Sequence, residues 1–217
     1  MNTLESRLIV FARAPVPGRV KTRLIPSLGA AGAAALYKQL VLHTLTIATD
    51  ARVGLVDLWC TPSLKHPFFL QCAKKFQMRL FNQIEGDLGS RMAHALNETL
   101  KRVPQALLIG TDCPSLTVDD LREAVDNLQH GIDAVVGPAE DGGYVMIGLR
   151  QYAPDLFNRI SWGTESVLNQ TRSRLRELGW KWHELSERWD VDRPEDVERL
   201  KREGYLRSES SLYFQRF

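Results

Sequence analysis

Short apolar runs alternate along the chain with longer stretches whose apolar positions recur at helical spacing, which predicts strands separated by helices. Residues 7–12 (RLIVFA) are β-branched and aromatic enough for a buried first strand. Residues 30–49 are Ala-rich, with Leu36, Leu40, Val41, Leu45 and Ala48 spaced by three and four, and give the clearest helix. A strand over 53–60 completes one βαβ unit. Residues 67–75 begin with a proline suited to a first turn and predict a short helix, followed by a brief strand at 78–81. A turn around Gly86 then opens a helix to about residue 102, with Asp87 serving either as its cap or as a ligand-facing acid.

Residues 107–114 (LLIGTDCP) carry a buried strand into Thr111 and Asp112, and Pro114 stops the ladder. In open α/β sheets ligands bind outside the carboxyl ends of strands, so Asp112 stands either to close a turn or to do chemistry. Thr117 and Asp120 form a capping-box-like start to a helix ending near residue 129, which leaves Asp112 unneeded as a cap. Strands at 133–138 and 144–149 flank Ala139-Glu140-Asp141-Gly142-Gly143. Two acids and two glycines suit a plain hairpin turn or a close backbone approach to a ligand. Thr164 is the predicted N-cap of a helix to about residue 178, followed by a short strand at 181–185. Asp192, three residues before Glu195 with Pro194 in the first turn, is the predicted cap of the last helix, whereas Asp190 has no such local duty.

Strands alternating with helices throughout imply an α/β fold: one doubly wound, mostly parallel sheet, with no internal repeat, low-complexity tract or linker. One domain is expected over residues 1–205. Residues 206–217, polar and then aromatic without periodicity, read as a tail that is flexible or docked on a partner.

Composition narrows the class. The 217 residues suffice for one substantial core, and 44% hydrophobic with 25% charged residues is ordinary for a globular chain. A formal charge of +2 argues against a general nucleic-acid binder. Cys60, Cys72 and Cys113 are odd in number and lack CxxC spacing, so a reduced cytoplasm is expected, with neither a disulfide framework nor a structural zinc. The apolar run before Arg13 is too short for a signal segment, and no stretch has the length of a membrane span.

The loop after the first strand, ARAPVPGRVKTRLIP, gathers Arg13, Arg19, Lys21 and Arg23 around Gly18. Such a density suits either an anion site or a solvated basic loop. It is not a P-loop, because Pro15 and Val20 occupy places where that motif's glycines would be needed.

Six segments in order, FARAPVPGRVKTRL, GDLGSRM, GTDCPSL, GPAEDGGYVMIGL, ISWGT and DVDRPEDV, resemble the nucleotide-diphospho-sugar transferase superfamily, whose fold is called GT-A, over nearly the whole chain. The pattern is most similar to a bacterial group of GT-A-like transferases associated with arsenosugar biosynthesis, and KTRLIP is similar to the cationic loop of enzymes that guanylylate phospholactate-type acids. The resemblance implies a Rossmann-like nucleotide-binding domain and a nucleotide site drawn from Arg13, Gly18, Lys21, Arg23, Asp87 and Arg91, with Lys21 and Arg23 stabilising charge on the leaving group. It implies an acceptor or sugar site from Asp141, Gly142, Gly143, Tyr144, Trp162 and Thr164. It also implies a magnesium or manganese ion on Asp112, Asp190 and Asp192. Asp112-Cys113-Pro114 departs from the family's DxD motif, so a second acid must come from the C-terminal pair.

The implied activity is metal-dependent transfer from a nucleotide-activated donor to a small-molecule acceptor. Glycosyl transfer from a nucleotide-diphospho-sugar would need a general base, for which Asp141 is the candidate with Glu140 and Glu165 behind it. The alternative is nucleotidyl transfer from an NTP to a phosphorylated acceptor with release of pyrophosphate, which needs no base. A nucleotide-binding module without turnover is the third expectation.

Overall fold

A computed structural model of the protein describes residues 6–205; the tail assigned to 206–217 lies outside the described residues. Among the described residues seven strands form a single sheet in the order β3-β2-β1-β4-β6-β5-β7. The strands are β1 (Ser6–Arg13), β2 (Leu55–Thr61), β3 (Arg79–Asn82), β4 (Gln105–Ile109), β5 (Ala134–Pro138), β6 (Tyr144–Leu149) and β7 (Trp182–Glu184). All neighbours pair in parallel except β6, which runs antiparallel to both β4 and β5. The sheet is therefore mostly parallel, as the alternating pattern predicts. The glycine-rich stretch is a hairpin, and because β6 starts at the end where the antiparallel β4 and β5 finish, the hairpin loop faces the same edge as the C-terminal loops of the parallel strands.

Helices cover both faces: α1 (Ile25–Asp50), α2 (Pro67–Phe76), α3 (Leu88–Leu100), α4 (Val118–Gln129), α5 (Val167–Glu177) and α6 (Pro194–Arg202). One core packs α1, α2 and α4 against side chains such as Leu8, Val10, Leu58 and Leu107. The other packs α3 and α5 against the alternate residues Ile9, Phe11, Trp59 and Leu108. This is the period-two division expected of strands buried on both faces. Every residue of β4 is buried, which makes it the centre of the sheet. A third cluster, in which Trp189, Val191, Val197 and Leu200 meet Leu24, Leu36 and Leu40, fixes the C-terminal segment on α1.

Local rules account for most helix ends. Within α1 the backbone at Gly29 is non-helical (φ 68°, ψ 165°), so the uninterrupted run starts at the predicted Ala30. Asp87 caps α3, its carboxylate accepting from the Ser90 amide at 2.7 Å. Thr117 and Asp120 complete a reciprocal capping box on α4.

Two caps differ from expectation. Thr164 lies before Ser166, the N-cap residue of α5, and its hydroxyl instead donates to the Ser161 carbonyl. Asp192 does not cap α6. The Asp196 carboxylate reaches back to the Asp192 and Arg193 amides at 2.9 and 2.7 Å, which leaves the Asp192 side chain free for another partner. All three cysteines are free and buried. Among the described residues no helix is long and apolar enough to cross a membrane.

Candidate active site

The C-terminal ends of β1, β2 and β4 open into a cleft of about 340 Å³. Arg13 enters from the end of β1, Thr61 from β2, and Gly110 to Cys113 follow β4; Asp141, Gly143 and Tyr144 come from the hairpin, and Asp190 from the segment before α6. Arg91 and Met92 line the cleft from the first turns of α3, and Trp162 from the loop before α5. This is the strand-end placement the fold class dictates.

Asp112 and Asp190, 78 positions apart, are brought together because the Val191 amide donates to the Asp112 carbonyl at 2.8 Å. Trp189, buried beneath, shares two hydrogen bonds with the Ser115 hydroxyl, which pin the same two segments. Arg188 then anchors the approach to Asp190. Its guanidinium grips the Asp120 carboxylate of α4 at 2.6 and 3.0 Å.

The acids crowd one another. The Asp190 carboxyl is pushed up to about 6, first by burial and then by the charges of Asp141 and Asp112, with Lys21 partly opposing. A cation placed among them would reverse that shift. Lys21 is the cation the protein itself supplies. Its side chain is only 5% exposed, its backbone is left-handed (φ 46°, ψ 45°), and its ammonium lies 2.8 Å from Asp112 Oδ1. The hydrogen bond of that ammonium goes to the Val191 carbonyl at 2.5 Å, and Asp112 Oδ1 is buried without a hydrogen-bond partner. The Lys21–Asp112 contact is thus Coulombic, and one carboxylate oxygen keeps unspent acceptor capacity.

These observations test whether a divalent ion fits. Two hard carboxylates, one with a buried oxygen whose neighbour is the Lys21 ammonium and the other destabilised by burial and then by neighbouring negative charge, are suitable donors for magnesium or manganese. Among the described residues no group of three or more His, Cys, Asp or Glu could enclose a metal ion. The protein would therefore supply one or two carboxylates, with phosphate oxygens and water completing the shell, as magnesium commonly requires.

The remaining predicted residues fall into two sets. Arg13 and Arg91 face the cleft, where the neighbouring Arg13 charge and, more strongly, burial lower the affinity of Arg91 for its proton. Like charges left this close make a natural seat for an anion. Asp141 lines the cleft with its carboxylate accepting from the Gly143 amide at 2.8 Å. Gly142 has φ 84°, and an added Cβ would stand 2.2 Å from the Glu165 carbonyl oxygen, so the hairpin tip needs glycine there.

Other residues are directed elsewhere. Arg23 pairs with Asp192. Glu140 is held by Arg199 at 2.8 and 3.1 Å. Asp87 is occupied in capping α3, Gly18 is an exposed turn residue (φ 78°), and neither Thr164 nor Glu165 lines the cleft.

Two contributors, Tyr37 and Gln83, gave no readable signal in the sequence. The Tyr37 hydroxyl accepts from the Arg13 amide at 2.9 Å and lies 3.1 Å from the Thr111 hydroxyl. Burial, reinforced by the Asp112 charge, raises its pKa well above the ordinary tyrosine value and keeps it neutral. Gln83, just past β3, donates to the Trp59 carbonyl and accepts from Arg91, which orients that guanidinium. Trp162 stands edge-on to Tyr144 with ring centroids 6.2 Å apart and lies against Gly89, where an added Cβ would meet its indole nitrogen at 2.2 Å.

Residues 44–164 match a family model described as uncharacterized protein conserved in bacteria (DUF2064). Among curated proteins there is no match. A solved structure from Desulfovibrio desulfuricans G20, provisionally assigned as a nucleotide-diphospho-sugar transferase, is 31% identical with a TM-score of 0.85, over 94% of this chain and 90% of that one. CMP:2-keto-3-deoxy-manno-octonic acid synthetase complexed with CTP shares the fold at 11% identity and a TM-score of 0.60, over 93% and 98% of the two chains. Rv0371c of Mycobacterium tuberculosis H37Rv in complex with manganese does so at 16% identity and 0.53, over 90% and 97%.

Proposed function

The chain belongs to the bacterial DUF2064 family, and on that footing we propose that it is a transferase acting on a nucleotide-activated donor, with a nucleotide-diphospho-sugar as donor and glycosyl transfer as the reaction. One observation carries the reading: Asp112, Asp190 and Asp141 share a single strand-end cleft with Arg13 and Arg91. Acids suited to a cation and guanidiniums suited to phosphates then line one cleft. The relative provisionally assigned as a nucleotide-diphospho-sugar transferase supports the donor class.

In this reading Arg13 and Arg91 bind the donor's phosphates, Gln83 holds Arg91 in place, and Asp112 with Asp190 would hold the divalent ion. When bound, the ion supplies charge neutralisation and orientation of the phosphate oxygens at the departing diphosphate. Asp141 takes the proton from the acceptor hydroxyl, its carboxylate aimed by the Gly143 amide. Trp162 and Tyr144 form an aromatic wall that excludes water from the transferred group. Asp192 stands outside this machinery, balanced by Arg23.

Nucleotidyl transfer from an NTP is the second reading. The two guanidiniums of Arg13 and Arg91, with no carboxylate paired to either among the described residues, would suit a triphosphate as well as a diphosphate. A panel of NTPs and nucleotide-sugars, tested for thermal stabilisation with Mg²⁺ or Mn²⁺, separates the two, since a bound ligand raises stability by mass action. Selective stabilisation by a nucleotide-sugar is expected, and response to intact NTPs alone would refute glycosyl transfer. Asp141→Asn is expected to keep donor binding and lose at least ~10²-fold in turnover. Full turnover in that variant would remove Asp141 as the base.

A further inference from the structure

A second cavity, of about 500 Å³, adjoins the acid cleft, and Trp162 lines both. It lies between α3 and residues 152–160, and it contains none of the acids placed on the metal. Its polar groups divide into spent and unspent. The Asp87 carboxylate is spent on capping α3, where it accepts from Ser90. Asn97 presents its carboxamide and Tyr152 its phenol without a hydrogen bond to the protein among the described residues, and Arg159 presents a guanidinium without an ion pair.

Among the described residues Arg159 is also one of four non-glycine residues with positive φ, at 56°. A left-handed backbone costs a side-chain-bearing residue stability, so such positions draw attention to a constraint beyond folding. Here the constrained residue is a cation at the rim of a polar cavity. A guanidinium offers forked donors to a carboxylate or phosphate, while an amide and a phenol pair with hydroxyls. The cavity therefore matches a ligand that is both hydroxylated and anionic.

We propose that this cavity is the acceptor site of the transferase, and that it takes a small hydroxylated acid whose charged group sits on Arg159 and whose hydroxyls meet Asn97 and Tyr152. The acceptor assignment rests on the transferase reading above; the anion specificity rests on the cavity alone. Trp162, standing between the two spaces, is the surface past which the acceptor reaches the donor.

The experiment is an NMR titration with glycerol 3-phosphate in one arm and glycerate in the other, followed at the Trp162 indole N–H and the Asn97 side-chain amide. Both resonances are expected to shift with saturation, and the tighter arm identifies phosphate or carboxylate as the recognised group. Arg159→Gln, a surface change that leaves the core intact, is expected to weaken binding by ~10-fold or more, the loss of one charge-assisted hydrogen bond. Asn97→Leu serves as the second variant, with a smaller loss expected. Nucleotide-induced shifts at residues 11–13 are expected to be unchanged in both. The proposal is overturned if neither probe binds, if shifts are confined to the acid cleft, or if Arg159→Gln binds as tightly as the parent. Probe binding at Trp162 and Asn97 with no nucleotide response at residues 11–13 would instead refute the transferase reading while keeping the anion site.

Discussion

Replacing Lys21 by methionine removes the ammonium that lies against Asp112 and Val191 while keeping a side chain of similar length. Breaking a buried ion pair by deleting one partner costs roughly 3–5 kcal/mol, whereas an exposed pair is worth about 0–1 kcal/mol. The Lys21 side chain is 5% exposed and that of Asp112 47%, so the pair lies between the two limits, and a loss of about 1–3 kcal/mol is expected. The left-handed backbone at Lys21 stays strained in the variant and so cancels from the comparison. The assay is urea unfolding with and without Mn²⁺. In the parent a divalent ion must share the acids with the ammonium; in Lys21→Met it meets them uncompensated. Manganese should therefore stabilise the variant more than the parent, by about 1.4 kcal/mol for each tenfold gain in affinity. Equal unfolding midpoints without metal, or an equal manganese effect in both proteins, would refute the view that Lys21 serves as counterion to the acids.

Gly89→Ala sets a favourable helix substitution against a clash with the Trp162 indole at 2.2 Å. A gain of about 1 kcal/mol in propensity is outweighed by overpacking, for a net loss of about 1–2 kcal/mol and an altered near-UV spectrum; unchanged stability and spectrum would mean that Trp162 does not rest on this helix. Asp120→Asn should cost about 2–4 kcal/mol in unfolding experiments, because it removes the charge that pairs with Arg188 and weakens the α4 capping box, in which a neutral amide oxygen replaces the carboxylate. Burial alone would raise the Asp120 carboxyl, but hydrogen bonds from Arg188 and Thr117 outweigh it and hold the group below its ordinary 3.8. Its contribution is therefore full above that value and is lost as pH falls through the depressed folded value, so stability should fall less steeply with acid in Asp120→Asn than in the parent. An equal acid slope in both proteins would contradict the assignment.

Residues whose roles are set by neighbours in the chain were legible in the sequence. The period of Leu36, Leu40 and Leu45, the cap at Thr117 and the strand-end position of Asp112 all follow from local rules, and each stands where those rules put it. The loop after β1 shows the limit of such rules. Its cations mark an anion site by density alone, yet Lys21 and Arg23 turn to Asp112 and Asp192, and Arg13 is the one that lines the cleft. That sorting depends on where residues 91 and 169 positions later in the chain come to rest. Asp192 illustrates the same point: spacing marks it as a cap, but Asp196 reaches both amides and Arg23 takes the vacated carboxylate. Tyr37 and Gln83 carried no signal because each is an ordinary residue of its element, and only the packing of α1 and β3 at the sheet edge aims them at Arg13 and Arg91. Antiparallel β6 was compatible with the hairpin residues, and its pairing with β4 depends on sheet order rather than on any local pattern.

The most direct test of the central claim is manganese binding, followed by EPR in the presence of the stabilising nucleotide, for the parent and for Asp112→Asn, Asp190→Asn and Asp192→Asn. The cleft geometry predicts one ion per chain, a loss of at least ~10-fold in affinity for each of the first two variants, and near-parental binding for the third. Parental affinity in Asp112→Asn and Asp190→Asn, or a loss confined to Asp192→Asn, would contradict it.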